Sequence, residues 1–332
     1  MLVIDGATLE GGGQLVRSAV ALSAITGEPC RVYNIRAGRQ NPGLRPQHIA
    51  AIRAVAGVCD AEVSGCTPGS REVTCIPGPL SQRTISVDIG TAGSIPLVLQ
   101  AWLPVALKVG GEITLSGGTE VSQSPTIDYT AHLLVPFLIA HGARISIEIT
   151  WRGYYPRGGG VVRSRVLPSG LVPLRPPERV GEGSRGIVSC SAGLPFHVAE
   201  RQAAAAAAHL LDATGLVFPV AKDVREGPGM GSSCTAWMGW RGGVGIGKPG
   251  YPAEKVGRDA ALALTSEVSA GGVVDRHLAD QLLIYVATAG GSYTSNTCTL
   301  HARTMCWLLR LFGYDISVRE GEVVTFAAEK SP

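Results

Sequence analysis

Residues 84–116 read TISVDIGTAGSIPLVLQAWLPVALKVGGEITLS, a pattern that predicts a strand, a helix and a second strand in close succession. A further helix and two strands follow, so this stretch belongs to a unit of six elements. We predict these elements at 84–89, 94–108, 111–116, 127–141, 143–149 and 161–165. The 44 glycines and 21 prolines of the chain fit an architecture of many short elements joined by tight connections.

The same succession of elements precedes this stretch. It is predicted at 2–5, 14–26, 30–36, 45–57, 60–66 and 71–76. In its first helix Leu15, Ala19 and Leu22 follow helical spacing, and Pro46 stands at a favourable first-turn position of the second helix. A β-α-β-α-β-β unit of roughly 80 residues therefore occurs twice, which indicates a repeat architecture.

A third copy of the unit is predicted to be split by an insertion. Its elements are expected at 166–174, 274–288, 290–295, 300–312, 314–319 and 322–328. The residues between have a different pattern, with an alanine-rich helix from Glu200 to Leu211 and another helix from Pro252 to about Val268. We therefore predict an α/β (α+β) protein with a large domain of three repeats and a smaller inserted α+β domain. The large domain comprises 1–177 and 273–332, and the inserted domain comprises 178–272.

Composition narrows the class of protein. The 332 residues are 45% hydrophobic and 17% charged, which is enough for a full core and two domains. There is no apolar run of the roughly 20 residues that cross a bilayer, and the start carries Asp5 without the basic segment of a signal peptide. We therefore expect a cytoplasmic protein without a membrane partner. The eight cysteines form no CxxC pair, which argues against structural zinc and favours small buried residues.

The charge of the chain says little by itself. A net charge of +3 is too weak to indicate a nucleic-acid binder. Most of the 29 basic residues are arginines, whose planar fork suits phosphate, although codon bias would give the same excess. Only a local cluster of arginines would therefore indicate a phosphate site.

The first motif is EGGGQ at 10–14, which ends where a helix begins. Three glycines let a ligand approach the backbone, and amides at a helix N-terminus favour anions. An ordinary flexible turn has the same composition. Glu10 and Arg17 favour a site, because an acid beside a phosphate-type loop can hold a divalent cation.

The second motif, RAGRQNPGLRPQH at 36–48, brings together Arg36, Arg39, Arg45 and His48. Arg45 and His48 are three residues apart and share one face of the predicted helix. Guanidinium groups in such a cluster suit bidentate contacts with phosphate. The alternative is a solvated loop, although two glycines and two prolines favour a fixed shape.

The third motif is GTAGS at 90–94, which precedes an apolar helix that bears Gln100. Small residues before a helix suit an anion or a close backbone approach. Plain capping of the helix by Ser94 explains them equally well.

The fourth motif lies near the C-terminus, where HLADQ at 277–281 is followed by SNTCTLH at 295–301. His301 stands at a predicted strand-to-helix junction. A histidine there is either structural or a nucleophile, and the residues alone leave both roles open.

The segment GGVGIGKP at 242–249 is close to a Walker A loop. Pro249 stands where the hydroxyl residue that meets Mg²⁺ would be required. We interpret the segment as a glycine-rich connection rather than a phosphate loop.

Together these motifs resemble the RNA 3′-terminal phosphate cyclase family, in the family's order and through nearly the whole chain. The matching segments are DGATLEGGGQLVRSAVALSAITG (5–27), IRAGRQNPGLRPQH (35–48), GTAGSIPLVLQAWLP (90–104), SGGTE (116–120), YYPRGGGVV (154–162), HVAER (197–201), GPG (227–229), PAEKVG (252–257) and LADQ (278–281). The resemblance implies three units like the C-terminal domain of bacterial translation initiation factor three, with an inserted smaller domain.

The resemblance also implies which residues form the site. His301 falls on the family's nucleophile, Glu10 falls on the metal-proximal acid, and Asp280 would orient His301 or the metal. The implied ATP pocket consists of Gln100, Pro125, Tyr129, His277, Leu278, Ala279, Asp280 and Gln281. The implied RNA and phosphate contacts are Arg17, Arg36, Arg39, Gln47 and His48, to which the second motif adds Arg45.

The implied activity is the ATP-dependent conversion of an RNA 3′-terminal phosphate into a 2′,3′-cyclic phosphodiester. It would proceed through a covalent histidine–AMP and an RNA 3′-phosphate–AMP anhydride, with Mg²⁺ or Mn²⁺, and would release AMP and pyrophosphate. RNA with a 3′-phosphate end is the expected partner, and a homodimer is an open alternative to a monomer. The competing interpretations are a cyclase-like ribosome-assembly factor, a group that lacks the histidine nucleophile, and a plain RNA-binding protein.

Overall fold

The structure is a computed structural model that describes residues 1–176 and 184–329. Within these residues, four small sheets and the helices between them form a mixed protein, in agreement with the predicted α+β class. None of the described helices is both long enough and apolar enough to cross a bilayer.

The first sheet is formed by the N-terminal part of the chain. Its elements are β1 (Leu2–Asp5), α1 (Gly13–Thr26), β2 (Cys30–Tyr33), α2 (Pro46–Cys59), β3 (Glu62–Ser64) and β4 (Val73–Ile76). The strand order is β1-β2-β4-β3, with β1 parallel to β2 and β4 antiparallel to both β2 and β3. A parallel pair needs a crossover, and α1 provides it.

The second sheet has the same arrangement of strands. Its elements are β5 (Arg83–Asp88), α3 (Ile95–Val109), β6 (Gly111–Gly117), α4 (Ile127–Tyr129), α5 (Val135–Ala140), β7 (Arg144–Trp151) and β8 (Gly160–Leu167). The order is β5-β6-β8-β7, with β5 parallel to β6 and β8 antiparallel to β6 and β7. Ser94 caps α3 by accepting a hydrogen bond from the Leu97 N–H at 3.3 Å, as the capping alternative for its motif predicted.

The prediction of one continuous helix at 127–141 is wrong in one respect, because the helix of the structure is interrupted. Thr130–Leu134 form a π-helical turn between α4 and α5, and the Val135 N–H donates to the Thr130 carbonyl five residues earlier. Pro136 follows at the start of α5 and has no N–H for the carbonyl four residues before it. The wider turn therefore forms where a regular helix would lose a hydrogen bond.

The middle of the chain forms a separate sheet. Its elements are β9 (Arg185–Ala192), α6 (Phe196–Thr214), β10 (Val220–Arg225), β11 (Gly231–Met238), β12 (Arg241–Ile246) and α7 (Ala253–Ser269). The strand order is β10-β9-β11-β12, and apolar residues of this part form their own cluster beside the larger core. α6 and α7, where two helices were predicted, pack very closely, since a Cβ at Gly257 would lie 2.0 Å from the Gln202 carbonyl oxygen. The predicted boundary at 177/178 lies outside the described residues.

The C-terminal part forms the last sheet. Its elements are α8 (Arg276–Ala289), β13 (Gly291–Ser295), α9 (Leu300–Leu311), β14 (Ile316–Arg319) and β15 (Val324–Ala328). The strand order is β13-β15-β14, and both pairs are antiparallel.

The strand predicted at 166–174 is wrong. Residues up to Leu167 belong to β8, and only Leu174 reaches the last sheet, through an isolated parallel bridge to Gly291. Pro168 and Pro173 have no N–H to donate to a ladder, so a continuous strand cannot form between these points.

Helix α1 lies at the centre of the large core. It packs against α2, α3 and α9, and its buried residues include Leu15, Val20 and Leu22. Just before it, the Glu10 N–H donates to the Thr304 hydroxyl of α9 at 3.1 Å. The N-terminal glycine segment is therefore held directly against the last helix.

Arg152 joins the second sheet to the middle sheet. Its buried guanidinium donates two hydrogen bonds to Asp128 at 2.7 and 2.9 Å, one to Glu120 at 2.8 Å and one to Asp223 of β10 at 2.8 Å. Burial, and then the charge of Asp128, raise the pKa of Glu120 well above its usual range. The two sheets are thus connected through a charged network that is almost closed to water.

Candidate active site

A cleft of about 1060 Å³ lies where these parts of the chain meet. Sites that bind one small molecule measure roughly 300–1,000 Å³, so this cleft is as large as the largest of them. All but two of the predicted site residues line it. The residues that do so are Glu10, Arg17, Arg36, Arg39, Arg45, Gln47, His48, Gln100, Pro125, Tyr129, His277, Asp280, Gln281 and His301.

The two exceptions are Leu278 and Ala279, which are fully buried in the core and do not line the cleft. Helical geometry explains this difference, because residues three and four apart share a face. His277, Asp280 and Gln281 lie on the face of α8 toward the cleft, and the two apolar residues lie on the other face.

Side chains that pack against the glycine segment leave no room for a Cβ at Gly12 or Gly13. A Cβ at Gly12 would lie 2.1 Å from Glu10 Oε2, and a Cβ at Gly13 would lie 2.0 Å from His48 Nε2. Gly12 caps α1 without a side-chain acceptor, and among the described residues no side chain caps the amides of the first turn. Gly12, Gly13 and Gln14 line the cleft, so the uncapped end of α1 lies at one of its walls.

Glu10 has two different carboxylate oxygens. Oε1 forms an ion pair with Arg39, whereas Oε2 is buried and has no hydrogen-bond partner in the described part of the chain. Oε2 lies 3.8 Å from His301 Nδ1. The free oxygen can therefore stabilise positive charge on the imidazole or on a bound cation.

His301 lies in the first turn of α9, which is capped by the Thr299 hydroxyl accepting from the Ala302 N–H at 2.9 Å. Its Nδ1 lies 2.9 Å from Gln14 Oε1. An amide oxygen only accepts, so this contact requires a proton on Nδ1 and leaves the Nε2 lone pair free. Burial, followed by the charges of Arg17, Arg39 and His277, lowers the pKa of His301 below its usual value. The neutral imidazole therefore predominates at pH 7.

Arg17 is the buried cation of the cleft, at 7% exposure. Among the described residues it makes no hydrogen bond or ion pair, and burial lowers its pKa to about 10. A buried guanidinium without a partner is costly, so its surroundings favour an anionic ligand.

The other arginines of the motif differ in their contacts. Arg36 donates to the carbonyls of Asn41 at 2.6 Å and Gly43 at 3.0 Å, which fixes the shape of the 36–48 loop. Arg45 is exposed and lines the cleft. The motif therefore forms a loop, as one of its two interpretations had it. Arg36, Arg39 and Arg45 nevertheless all line the same cleft.

His48 and Gln47 connect this loop to its neighbours. His48 Nδ1 accepts from the Arg45 N–H at 3.0 Å, and burial, then the charges of Arg17, Arg36 and Arg45, lower the pKa of His48 to about 2. Gln47 Oε1 accepts from the Ser94 N–H at 3.2 Å, which ties the loop to the GTAGS segment. His48 is thus a neutral, fixed group beside the glycine segment.

The other end of the cleft combines apolar walls with polar groups. Tyr129 donates its hydroxyl to Asp275 at 2.7 Å, and burial, then Asp275, raise the pKa of Tyr129. Asp280 accepts from the Thr299 hydroxyl at 2.6 Å, and burial raises the pKa of Asp280 to about 7. Gln281 donates to the His277 carbonyl at 3.0 Å, while its Oε1 is buried without a partner in the described residues.

Three residues that fix the site are absent from the predicted set. Gln14 contacts His301, Asp275 caps α8 and binds Tyr129, and Thr299 links Asp280 to α9. Gln14 stands inside the first motif, Asp275 stands in the first turn of the helix predicted at 274–288, and Thr299 directly precedes the helix predicted at 300–312. Capping preferences could have found the latter two, whereas only the fold reveals their distant partners.

The segment 242–249 is not a phosphate loop. Its first part forms β12, and a Cβ at Gly245 would lie 2.0 Å from the Val256 carbonyl oxygen of α7. The interpretation as a connection is therefore wrong for residues 242–246. The glycines serve the close approach of a strand and a helix.

Comparisons with known proteins agree with these motifs. Residues 8–318 match the family model described as RNA 3′-terminal phosphate cyclase. The RNA 3′-terminal phosphate cyclases of Pyrococcus furiosus and Methanosarcina mazei are each 44% identical to this chain, cover 97% of it, and are themselves covered to 96% and 98%. That of Nitrosospira multiformis is 44% identical, with 94% of this chain and 91% of its own length covered. The chain therefore belongs to the RNA 3′-terminal phosphate cyclase family, which confirms the resemblance.

A solved structure of EPSP synthase from Acinetobacter baumannii is a much weaker match. It is 12% identical, with a TM-score of 0.28, and the match covers 95% of this chain and 62% of that one. This likeness carries no argument about fold or function.

Proposed function

We propose that this protein is an ATP-dependent RNA 3′-terminal phosphate cyclase that carries adenylate on His301. It converts an RNA 3′-phosphate into a 2′,3′-cyclic phosphodiester and releases AMP and pyrophosphate. The observation that carries the proposal is the free Nε2 of a neutral His301 in the same cleft as Arg17, a buried cation that has no partner among the described residues. The names of the similar proteins, and the match over nearly the whole of each chain, support the same activity.

In the first step, the Nε2 lone pair attacks the α-phosphorus of ATP. A phosphorus–nitrogen bond forms, the bond to the bridging oxygen breaks, and pyrophosphate leaves with the electron pair. The Nδ1 proton stays on its bond to Gln14 Oε1, 2.9 Å away. Glu10 Oε2, 3.8 Å from Nδ1, offsets the positive charge that the ring acquires.

In the second step, an oxygen of the RNA 3′-phosphate attacks the same phosphorus, and the electron pair of the broken bond returns to Nε2. In the third, the RNA 2′-hydroxyl oxygen attacks the 3′-phosphorus, its proton passes to water, and AMP leaves. Arg17, Arg39 and Arg45 hold the RNA phosphate and reduce its repulsion toward the nucleotide. Fixing both reactants in one cleft supplies up to roughly 7–11 kcal/mol of the barrier reduction.

ATP binds at the end of the cleft formed by Gln100, Pro125, Tyr129 and α8. Pro125 and the Tyr129 ring provide apolar walls for adenine, and Gln281 Oε1 is a buried acceptor still in need of a donor. An adenine amino group supplies that donor. Asp280 positions α9 through its bond with Thr299.

The residues also fit a divalent cation. Mg²⁺ is usually held by one or two carboxylates together with substrate phosphates and water, and Glu10 Oε2 is a buried carboxylate oxygen without a partner. Arg39 occupies Oε1, so Oε2 is the ligand that Glu10 would offer to Mg²⁺ or Mn²⁺. A bound cation would offset charge on the pyrophosphate oxygens.

We also propose that the chain consists of three repeated units with an inserted domain. The identical strand arrangement of the first two sheets supports this, and the last sheet with the Leu174 bridge would be the third unit. The large domain would comprise 1–177 and 273–332, and the inserted domain 178–272. A cytoplasmic location and a possible homodimer remain predictions.

Incubation with ATP labelled at the α-phosphate tests the nucleophile. Wild-type protein should retain acid-labile AMP, and His301→Ala should retain none. His209→Ala is the control, because His209 lies on α6 and does not line the cleft. Protein-bound AMP that persists in His301→Ala would contradict the assignment.

Activity itself is tested with ATP, Mg²⁺ and a 3′-phosphorylated oligoribonucleotide. The RNA end should become resistant to phosphatase, and the His301→Ala protein should leave it sensitive. A protein that captures AMP but never changes the RNA end would favour the competing interpretation, a relative without cyclase activity.

A further inference from the structure

An RNA longer than a few nucleotides cannot fit inside a cleft of about 1060 Å³. The remaining strand must leave past the walls that surround the arginines. Behind one of these walls lies the GTAGS segment, which is bound through Ser94 to Gln47, a residue that lines the cleft. A Cβ at Gly93 would lie 3.1 Å from Gln47 Cβ, so the surface beyond this segment begins directly behind that wall.

That surface is the connection between β7 and β8. A Cβ at Gly158 would lie 2.9 Å from both the Ala92 Cα and the Thr91 carbonyl oxygen. Only glycine allows this approach, and Gly158 also has a φ of 69°, in the left-handed region. The connection at 154–159 is thus fixed directly against the segment that lies behind the wall of the cleft.

A second loop completes the surface. A Cβ at Gly159 would lie 2.6 Å from Pro228 Cγ, and one at Gly229 would lie 3.4 Å from the Gly158 carbonyl oxygen. Arg157 Nη1 donates to the Pro228 carbonyl at 3.3 Å. We call residues 154–159 and 226–230 together the outer platform, since loops from the second and middle sheets form one packed surface.

The outer platform exposes side chains that are normally covered. Tyr155 is 79% exposed and Met230 is 71% exposed. Exposed apolar groups on one packed surface mark interaction surfaces, and Arg157 adds a positive charge to this one. A shallow depression within the outer platform, lined by Glu226 and bordered by Trp151, is unsuited to a phosphate because of its carboxylate.

We propose that the outer platform binds the single-stranded RNA next to its 3′ end, with Tyr155 stacked on a base and Arg157 near a phosphate. An exposed aromatic ring and an arginine beside an anion site are the features that hold single strands without sequence preference. The inference rests on the proposed function, because it requires the RNA end to lie in the cleft.

Substrate length tests the stacking role of Tyr155. Stacking of one base is worth about 5- to 150-fold in binding, so Tyr155→Ala should raise KM by about that factor for a 3′-phosphorylated RNA of about ten nucleotides. KM for a 3′-phosphorylated dinucleotide and AMP capture should not change, because neither involves the outer platform. Tyr155→Phe keeps the ring and should behave as wild type, while Tyr155→Leu keeps bulk without stacking and should behave as Tyr155→Ala.

The salt dependence of RNA binding provides a second measurement. Arg157→Gln should reduce the slope of log Kd against log salt by about 0.7, the value for one phosphate contact on a single strand. A Tyr155→Ala protein that keeps the wild-type KM for the long RNA would overturn the inference, and so would a normal Tyr155→Leu protein. An unchanged slope would remove the role of Arg157. If wild type neither captures AMP nor alters RNA ends, the proposed function fails instead.

Discussion

At the scale of single residues, the chemistry proposed for His301 depends on Gln14. The amide oxygen fixes the proton on Nδ1, and burial, followed by the charges of Arg17 and Arg39, lowers the pKa of His301. The lowered pKa of His301 determines in which direction pH changes the rate of AMP capture. AMP capture should be maintained as pH falls to about 6.5, and should decline only below it, where the imidazole becomes protonated.

Substitution of Gln14 tests this dependence. Gln14→Ala removes one hydrogen bond, so the rate of AMP capture should fall about 2- to 10-fold. Gln14→Glu places a carboxylate beside Nδ1, which favours the protonated ring and raises the pKa of His301. The acid limb of the pH–rate profile should therefore move to higher pH in Gln14→Glu. A profile identical to wild type in both variants would show that Gln14 has no part in setting the proton.

Most of the residues that the motifs and the family resemblance predicted for the site line the same cleft. The sequence did not predict Gln14 or Asp275, whose roles depend on partners 287 and 146 residues away. It also placed Leu278 and Ala279 in the ATP pocket, although helical periodicity alone would have separated them from His277 and Asp280. Residue types near a site were therefore predictable, whereas their directions were not.

At the scale of elements, prolines account for two differences between prediction and structure, whereas the strand at 242–246 was taken for a connection because of its glycines. Pro168 and Pro173 prevent a strand at 166–174, and Pro136 accompanies the π-helical turn within the helix expected at 127–141. Both effects follow from the missing N–H of proline. The other helices were predicted well, because their apolar spacing reflects burial against a sheet or another helix.

The start of α1 offers a test at this scale. Gly13→Ala would place a methyl group 2.0 Å from His48 Nε2, and His48 is held by the Arg45 backbone, so the loop must move. We expect a loss of about 1–3 kcal/mol in the free energy of unfolding, together with weaker AMP capture. Gly38→Ala is the control, since no atom lies within 4 Å of its added Cβ. Denaturant unfolding of both variants measures the effect, and equal stability would contradict it.

At the scale of the whole molecule, Arg152 connects two sheets whose association the sequence does not reveal. Its partners Asp128 and Asp223 lie 24 and 71 residues away along the chain. Mixed class and element order follow from local patterns, but a buried ion network depends on which segments meet in space. For the same reason, the single bridge at Leu174 could not be foreseen from hydrophobic periodicity.

Removal of Arg152 should therefore destabilise the whole chain. Arg152→Met leaves the buried carboxyls of Glu120 and Asp128 without their cation, while Asp223 keeps its pair with Arg225, and the cost should be about 3–5 kcal/mol in unfolding free energy. Without the arginine these carboxyls bind protons more tightly in the folded than in the unfolded state, so lowering the pH should reduce the difference from wild type. Thermal or denaturant unfolding between pH 5 and 8 measures this (about the range of greatest stability).

The control for this change is Arg163→Met. Arg163 is largely exposed and pairs with Glu112 at 3.4 Å, so its loss should cost no more than about 1 kcal/mol. A similar cost for both variants, or a larger gap at low pH, would contradict the role assigned to the buried network.

The hydrogen bond between the Glu10 N–H and Thr304 spans 294 residues, and α1 packs on α9. During translation, the part of α1 that packs on α9 therefore stays uncovered until α9 has been made. Contacts between such distant segments form slowly, because a long loop must close before they gain anything. A chain that is released early would carry the arginines of the 36–48 loop without His301. It would also expose the apolar surface that α9 covers in the complete fold.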